Sequence, residues 1–203
     1  MNISHALSPL LAVISGGLLS GTALSDNIML PPPDKKGGRP LMQVLNERHS
    51  TRSFADKPIP MEILSSLLWA AQGVNRDDPD YRTAPSSRNS NEIEIYAVLP
   101  QGAYLYKPET HQLERVVQGD MRAATGTQEF AATAPLNLVY VVDQSKQPGD
   151  FDAKRKLVTA CTGVGFIGEN VYLFCTSAGL GTVFRAMIDA DSVSYTHLRA
   201  HET

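Results

Sequence analysis

Cysteine is scarce in this sequence, with only Cys161 and Cys175 among 203 residues. No spacing of Cys and His suits a metal site. If both cysteines lie on one helix, fourteen residues separate them by about 21 Å, too far for a disulfide. They read instead as two small buried hydrophobes. Basic residues are not in excess either. Eighteen Lys and Arg stand against 21 Asp and Glu, a formal charge of -3, which excludes the broad cationic surface that nucleic acid requires. There is no internal repeat, no glycine-rich dinucleotide fingerprint and no Ser-His-Asp set legible from spacing. Charged side chains are missing altogether from Ala6 to Leu24.

What is present suffices for one globular domain with a sizeable core: 42% of the residues are apolar and 19% charged. The uncharged N-terminal stretch contains the run Leu10 to Ile14 and closes on Ala23-Leu24-Ser25, a small-x-small pattern. Residues 1–25 are therefore expected to be a signal peptide, with Asp26 opening the mature chain and a periplasmic or secreted location. The alternatives are an uncleaved N-terminal anchor, for which the stretch is marginal against the roughly 20 apolar residues a spanning helix needs, and a cytoplasmic protein. No twin arginine precedes the stretch. Residues 26–40, with Pro31, Pro32, Pro33, Gly37 and Gly38, read as a linker or extended arm.

The folded domain is expected over residues 41–191. Leu41, Val44 and Leu45 have helical spacing. Pro60 suits the start of a second helix with Ile63, Leu64, Leu67, Leu68 and Ala71 on one face, ended by Gly73. Alternation over Ile93 to Leu99 predicts a strand. Ala103 to Lys107 and Gln112 to Val117 predict two more, joined by a turn at Pro108 to His111. Asp120 is placed to cap a short helix running to Phe130. The continuous apolar run Leu136 to Val142 predicts a central strand covered on both faces. The longest helix is expected from Ala153 to Ser177. It carries Gly163, Gly165 and Gly168, which cost roughly 2–3 kcal/mol of propensity against alanine and imply close packing. Gly179-Leu180-Gly181 breaks it, and a last strand follows from Thr182 to Ile188. Helices mixed with mostly antiparallel strands define the class as α+β. Residues 192–203 lack a clear amphipathic pattern and read as a non-native tail, the natural domain being expected to run on past Asp191.

The sharpest local signal is Glu47-Arg48-His49-Ser50-Thr51-Arg52-Ser53-Phe54. Two arginines four apart, with hydroxyls between them, sit where a helix gives way to extended chain. Guanidinium groups grip phosphate bidentately, and hydroxyls and backbone N–H groups fill the remaining acceptor sites. On spacing alone, a solvated helix end with basic residues complementing the dipole accounts for it better.

Arg48 to Phe54 resembles the opening motif of the nitroreductase superfamily. Lys57 to Pro60 with the following helix, the stretch Ala84-Pro85-Ser86-Ser87-Arg88-Asn89-Ser90-Asn91, and Gly163 through Gly181 with Thr182 to Asp189 are similar to the next elements of that family in order. Arg82 to Ser86 and the hairpin at Tyr104-Leu105-Tyr106 look most like its branch of thiazole- and oxazole-forming peptide dehydrogenases, the SagB type. The resemblance covers roughly Leu41 to Asp189. It implies a nitroreductase-like fold with a central, mostly antiparallel sheet flanked by helices, a long core helix at a homodimer interface, and a C-terminal segment truncated here. It further implies that Arg48, His49, Ser50 and Arg52 hold the phosphate and ribityl chain of FMN. Pro85, Ser86, Ser87, Asn89 and Asn91 would approach the flavin ring or its partner-subunit side, and Phe184, Arg185, Ala186 and Met187 would lie near the reactive ring nitrogen. The implied activity is transfer of hydride or electrons, with NAD(P)H as donor, to a nitro, quinone or similar small acceptor, or oxidation of a peptide azoline. The alternative is a flavin-binding protein or inactive fragment without turnover. The cofactor carries the chemistry, so no protein acid, base or nucleophile is nominated. Tyr81, Arg82 and His111 suit surface or packing roles better than substrate contact.

Overall fold

A computed structural model describes residues 27–185. The expected signal peptide, residues Ala186 and Met187, the end of the expected last strand and the tail at 192–203 lie outside the described residues. Five strands form one antiparallel sheet in the order β1-β4-β3-β2-β5. They are β1 (Ile28–Met29), β2 (Ile93–Leu99), β3 (Gly102–Lys107), β4 (Gln112–Gln118) and β5 (Asn137–Val142). The helices are α1 (Leu41–Glu47), α2 (Met61–Gln72), the single turn α3 (Phe130–Thr133) and α4 (Ala153–Ser177). The class is α+β, an antiparallel sheet flanked by helices, as the sequence pattern predicts.

The core lies between α2, α4 and the sheet. Pro60 caps α2, and Gly73 closes it. Its apolar stripe buries Leu64, Leu67, Leu68 and Ala71 against Ile93, Ile95, Ala97 and Leu99 of β2. Helix α4 starts where the Asp152 carboxylate accepts the Arg155 N–H at 2.7 Å. It buries Ala160, Gly163, Ile167, Val171 and Cys175, a three-four spacing that defines one face. A Cβ on Gly163 would come within 3.5 Å of Ile93, and one on Gly168 within 3.1 Å of the Phe184 ring. Gly168 thus serves close packing, whereas at Gly163 a Cβ would make only an ordinary contact. Gly165 has open space around it. The helix ends in a Schellman motif. Gly179 takes the left-handed conformation (φ 71°) that only glycine adopts without strain. Its N–H and that of Leu180 satisfy the carbonyls of Thr176 and Cys175.

Five expectations are corrected. Cys161 is exposed, because it faces away from the stripe that holds Cys175. Burial pushes the Cys175 thiol up to about 12. The run Leu136 to Val142 does not become a central strand: β5 is an edge of the sheet among the described residues, mostly half-buried, with Leu138, Tyr140 and Val142 against the core. The single helix expected from Asp120 to Phe130 is split into a 3-10 turn at Arg122–Thr125 and α3. Gly126 is extended between them (φ 172°), and Asp120 spends its carboxylate on the Arg122 backbone and guanidinium. Residues 182–185 form no strand.

The fifth concerns the start of the folded domain, expected at Leu41: of the two readings of residues 26–40, linker or extended arm, the described residues from Asn27 on form an arm that is docked on the domain. Ile28 and Met29 add β1 to β4, and Leu30 enters the core. A polar relay fixes it further. Ser65, fully buried on α2, donates to the Pro31 carbonyl at 2.5 Å and meets His111 Nε2 at 2.7 Å. His111 Nδ1 meets the Tyr106 hydroxyl at 2.9 Å. Because Ser65 spends its proton on Pro31, it accepts from Nε2–H, and neutral His111 then accepts from Tyr106.

Burial holds the His111 pKa below its usual 6.5. The unfolded chain therefore binds a proton that the folded chain refuses. That difference opens as pH falls through about 6.5 and grows down to the folded value. Stability should fall over that window in denaturant melts, and His111→Gln should flatten the dependence. An identical slope in both proteins would contradict this assignment.

Candidate functional site

Chain segments remote in sequence meet where α1 ends. The backbone leaves the helix at Arg48 and becomes extended. Glu47, the nearest acid, is engaged by Arg39 and by Gln43. Arg48 and Arg52 therefore have no carboxylate partner among the described residues. The Arg48 guanidinium lies over the Tyr172 ring of α4, 5.1 Å from its centroid. Arg52 and Ser50 are exposed, and His49 Nδ1 meets the Glu47 carbonyl at 2.8 Å.

The segment that leaves α4 closes onto these residues. Thr51 N–H donates to the Thr182 carbonyl at 2.8 Å. Gly181 allows the approach, since a Cβ there would stand 2.8 Å from Thr51 Cγ2. The Tyr172 hydroxyl joins both strands of the crossing. It meets Ser50 Oγ at 2.9 Å and accepts the Phe184 backbone N–H at 2.8 Å. The Phe184 ring stacks on Tyr140 of β5 with centroids 6.3 Å apart. Arg185 turns back to Asn137 Oδ1 at 2.9 Å, and its guanidinium lies 5.7 Å from the Phe130 centroid. Arg185 Nη1 is buried without a hydrogen-bond partner among the described residues, and burial lowers the pKa of the group. An unspent buried donor of this kind costs energy unless a ligand completes it.

The second predicted set forms its own knot. Ser86 Oγ accepts the Asn91 N–H at 3.0 Å, and Asn91 Nδ2 donates to the Asp80 carbonyl at 2.8 Å. Arg88, Asn89 and Asn91 all take left-handed backbone angles (φ 54°, 54° and 47°). Asparagine tolerates this conformation; arginine does so only where its surroundings impose it. Arg88 is held by a bidentate pair with Asp150 at 2.9 and 3.1 Å and by the Phe151 ring. Pro85 and Asn89 are exposed, and Ser87 is half-buried. Among the described residues no hydrogen bond, ion pair or ring contact links this loop to the Arg48 cluster.

A cavity of about 280 Å³ lies on the hairpin side of this loop, lined by Arg82, Asn89, Asn91, Tyr106, Glu109 and Lys146 among others. Its cations are already neutralised, Arg82 by Glu109 and Lys146 by Glu94 and Asp143. Arg82 also donates to the Pro79 carbonyl, so it packs the loop against the hairpin. Tyr81 is exposed under the Arg76 guanidinium. No group of acids, histidines and cysteines suited to a metal occurs among the described residues.

Residues 45–199 match the model of the Nitroreductase family. A protein of Methanocaldococcus jannaschii, provisionally named a nitroreductase, is 33% identical over 153 residues, which is 70% of this chain and 76% of that one. A crystal structure from Ralstonia eutropha with the same provisional name is 40% identical, with a TM-score of 0.78, covering 90% of this chain and 88% of the other. An Escherichia coli microcin synthetase complex shares the fold at 17% identity and a TM-score of 0.61, covering 92% of this chain and 77% of that chain.

Gly181→Val would drive a branched side chain into Thr51. The expected outcome is loss of the Thr51 to Thr182 hydrogen bond, read as faster amide exchange at Thr51 with the core amides unchanged. Unaltered exchange would show that the crossing does not need the glycine.

Proposed function

This chain belongs to the nitroreductase family, and on that premise we propose that it is an FMN-dependent oxidoreductase taking reducing equivalents from NAD(P)H to a nitro, quinone or similar small acceptor. FMN supplies the two-electron chemistry when bound. The chain's own residues bind, orient and shield.

The observation that carries this reading is the crossing at Tyr172. It sets the Arg48 guanidinium, an exposed serine hydroxyl and the Phe184 backbone around one phenol, with the exposed Arg52 two residues on from Ser50 and, like Arg48, without a carboxylate partner among the described residues. Such a donor set fits a phosphomonoester: guanidinium groups for the charge and a hydroxyl for a remaining lone pair. Arg48, His49, Ser50 and Arg52 would hold the phosphate and ribityl end. Phe184 and Arg185 would face the ring, with Ala186 and Met187 following in sequence. Pro85, Ser86, Ser87, Asn89 and Asn91, for which no hydrogen bond to this cluster occurs among the described residues, would complete the ring site from the partner subunit. Arg48→Ala and Arg52→Ala should each weaken FMN binding roughly 10- to 100-fold, the worth of a hydrogen-bonded charge, in fluorescence-quenching titrations. FMN failing to bind the wild-type chain would end the proposal. Bleaching of bound flavin by NADH or NADPH separates an oxidoreductase from a flavin-binding protein without turnover.

Oxidation of a peptide azoline is a second activity within the same chemistry, suggested by Arg82 to Ser86 and Tyr104 to Tyr106. Arg82 is buried against Glu109, and Tyr104 and Tyr106 are core residues. Their structural duties account for them without a peptide substrate, so the small acceptor is preferred. Export behind residues 1–25 belongs to the same proposal, as the location in which the mature chain works.

The homodimer is proposed through α4. By length and hydropathy alone this helix could cross a membrane, yet one face packs on α2 and β2. Its other face exposes Leu157, Val158 and Phe166, beside Cys161 and the open Gly165. An apolar stripe of this kind needs a cover, and a second copy would meet it with the same small residues at the crossing. Phe166→Glu should convert a dimer to a monomer in sedimentation analysis. A wild-type chain sedimenting as a monomer would remove this interface.

A further inference from the structure

We infer that Tyr172 is a positioning residue that fixes the direction in which Ser50 offers its hydroxyl proton, so that the phosphate of a flavin nucleotide meets a donor there. The inference rests on the FMN reading above and goes beyond it in naming a residue that touches no cofactor.

The proton count at the crossing supports it. The Phe184 backbone N–H, 2.8 Å away, can only donate to the Tyr172 oxygen. The phenol then has its own proton to place, and Ser50 Oγ, at 2.9 Å, is the acceptor the structure gives it. The reverse arrangement, with Ser50 donating, would make the phenolic oxygen accept twice and leave its proton without a partner among the described residues. On this count Ser50 accepts from Tyr172, which leaves its own proton for the exposed side, next to the Tyr172 ring that carries the Arg48 guanidinium. An oxyanion needs donors, and an unrelayed serine would present lone pair and proton indifferently. The Tyr172 ring also carries the Arg48 guanidinium at 5.1 Å. One side chain thus orients the hydroxyl and seats the charge, while its tie to Phe184 couples both to the segment proposed to face the ring.

Tyr172→Phe keeps the ring and removes the hydroxyl. The test titrates the full chain, its Tyr172→Phe and Ser50→Ala variants and the double variant with FMN and with riboflavin, which lacks the phosphate, following flavin fluorescence. In Tyr172→Phe, FMN affinity should fall about 10-fold while riboflavin affinity changes less than about 3-fold. Ser50→Ala should give the same loss of discrimination, and the double variant should be no worse than either single one. Equal losses for the two flavins would mean that Tyr172 only braces the Phe184 segment, and would overturn the inference. So would unchanged FMN binding or additive losses in the double variant. If Tyr172→Phe fails to fold, Ser50→Ala decides: a retained preference for FMN overturns the inference. A wild-type chain that binds neither flavin overturns the FMN reading itself, whereas wild-type binding with unaltered variants overturns only the role of Tyr172.

Discussion

A single phenolic oxygen gathers the last residues of α1, the body of α4 and the chain that follows it. Tyr172 accepts from Phe184 and reaches Ser50, while its ring underlies Arg48. Everything proposed for the site depends on that convergence. Gly179 turns the chain out of α4 with the Schellman bonds, and Gly181 lets it pass against Thr51. Gly168 makes room for the Phe184 ring, which settles on Tyr140. Each of these residues would be unremarkable alone. Together they place a cationic helix end beside an extended backbone, with the Tyr172 hydroxyl bridging the two.

The scaffold under this crossing is ordinary in its energetics. A stripe of leucines from α2 and alternate residues of β2 exclude water, and burial of this kind contributes about 25 cal/mol for each Å² removed from water. The polar exceptions are satisfied in chains. Ser65, His111 and Tyr106 form one such chain beneath the arm, and Asn137 serves both Ala131 and Arg185. Besides Arg82 Nε, the Arg185 Nη1 donor finds no partner among the described residues and stands out against that background. It sits beside the segment that the family resemblance places near a ligand.

Much of this was legible in the sequence because the signals were local. The three-four spacing of α2 and α4, Pro60 and Gly73 as its boundaries, and the alternation through Ile93 to Leu99 report backbone geometry directly. Arg48 to Arg52 could be singled out because a pair of guanidiniums flanking hydroxyls is rare chemistry at a helix end. Tyr172 could not, since its phenol is hidden among the apolar residues of a helix whose pattern reports only burial. A polar-headed aromatic on such a helix was the available signal. The edge position of β5 was equally hidden: Leu138, Tyr140 and Val142 pack on the core just as a central strand would, and only the pairing order shows that β5 has no second neighbour among the described residues. The docking of the arm is not legible locally, because its prolines suit a linker equally, while the bonds that hold it come from Ser65 and His111, far along the chain.

The two borders of the sheet are closed by different means. On one side β1 covers β4 with a short run of backbone bonds. On the other, β5 has no neighbouring strand among the described residues and is screened by side chains of the segment after α4, Phe184 on Tyr140 and Arg185 on Asn137. Unpaired strand borders invite self-association. The segment that shapes the candidate site therefore also holds the side chains of this border strand in place. Damage to it would lower the yield of well-dispersed protein before any chemistry is measured, so a loss of soluble material and a loss of function would share one origin.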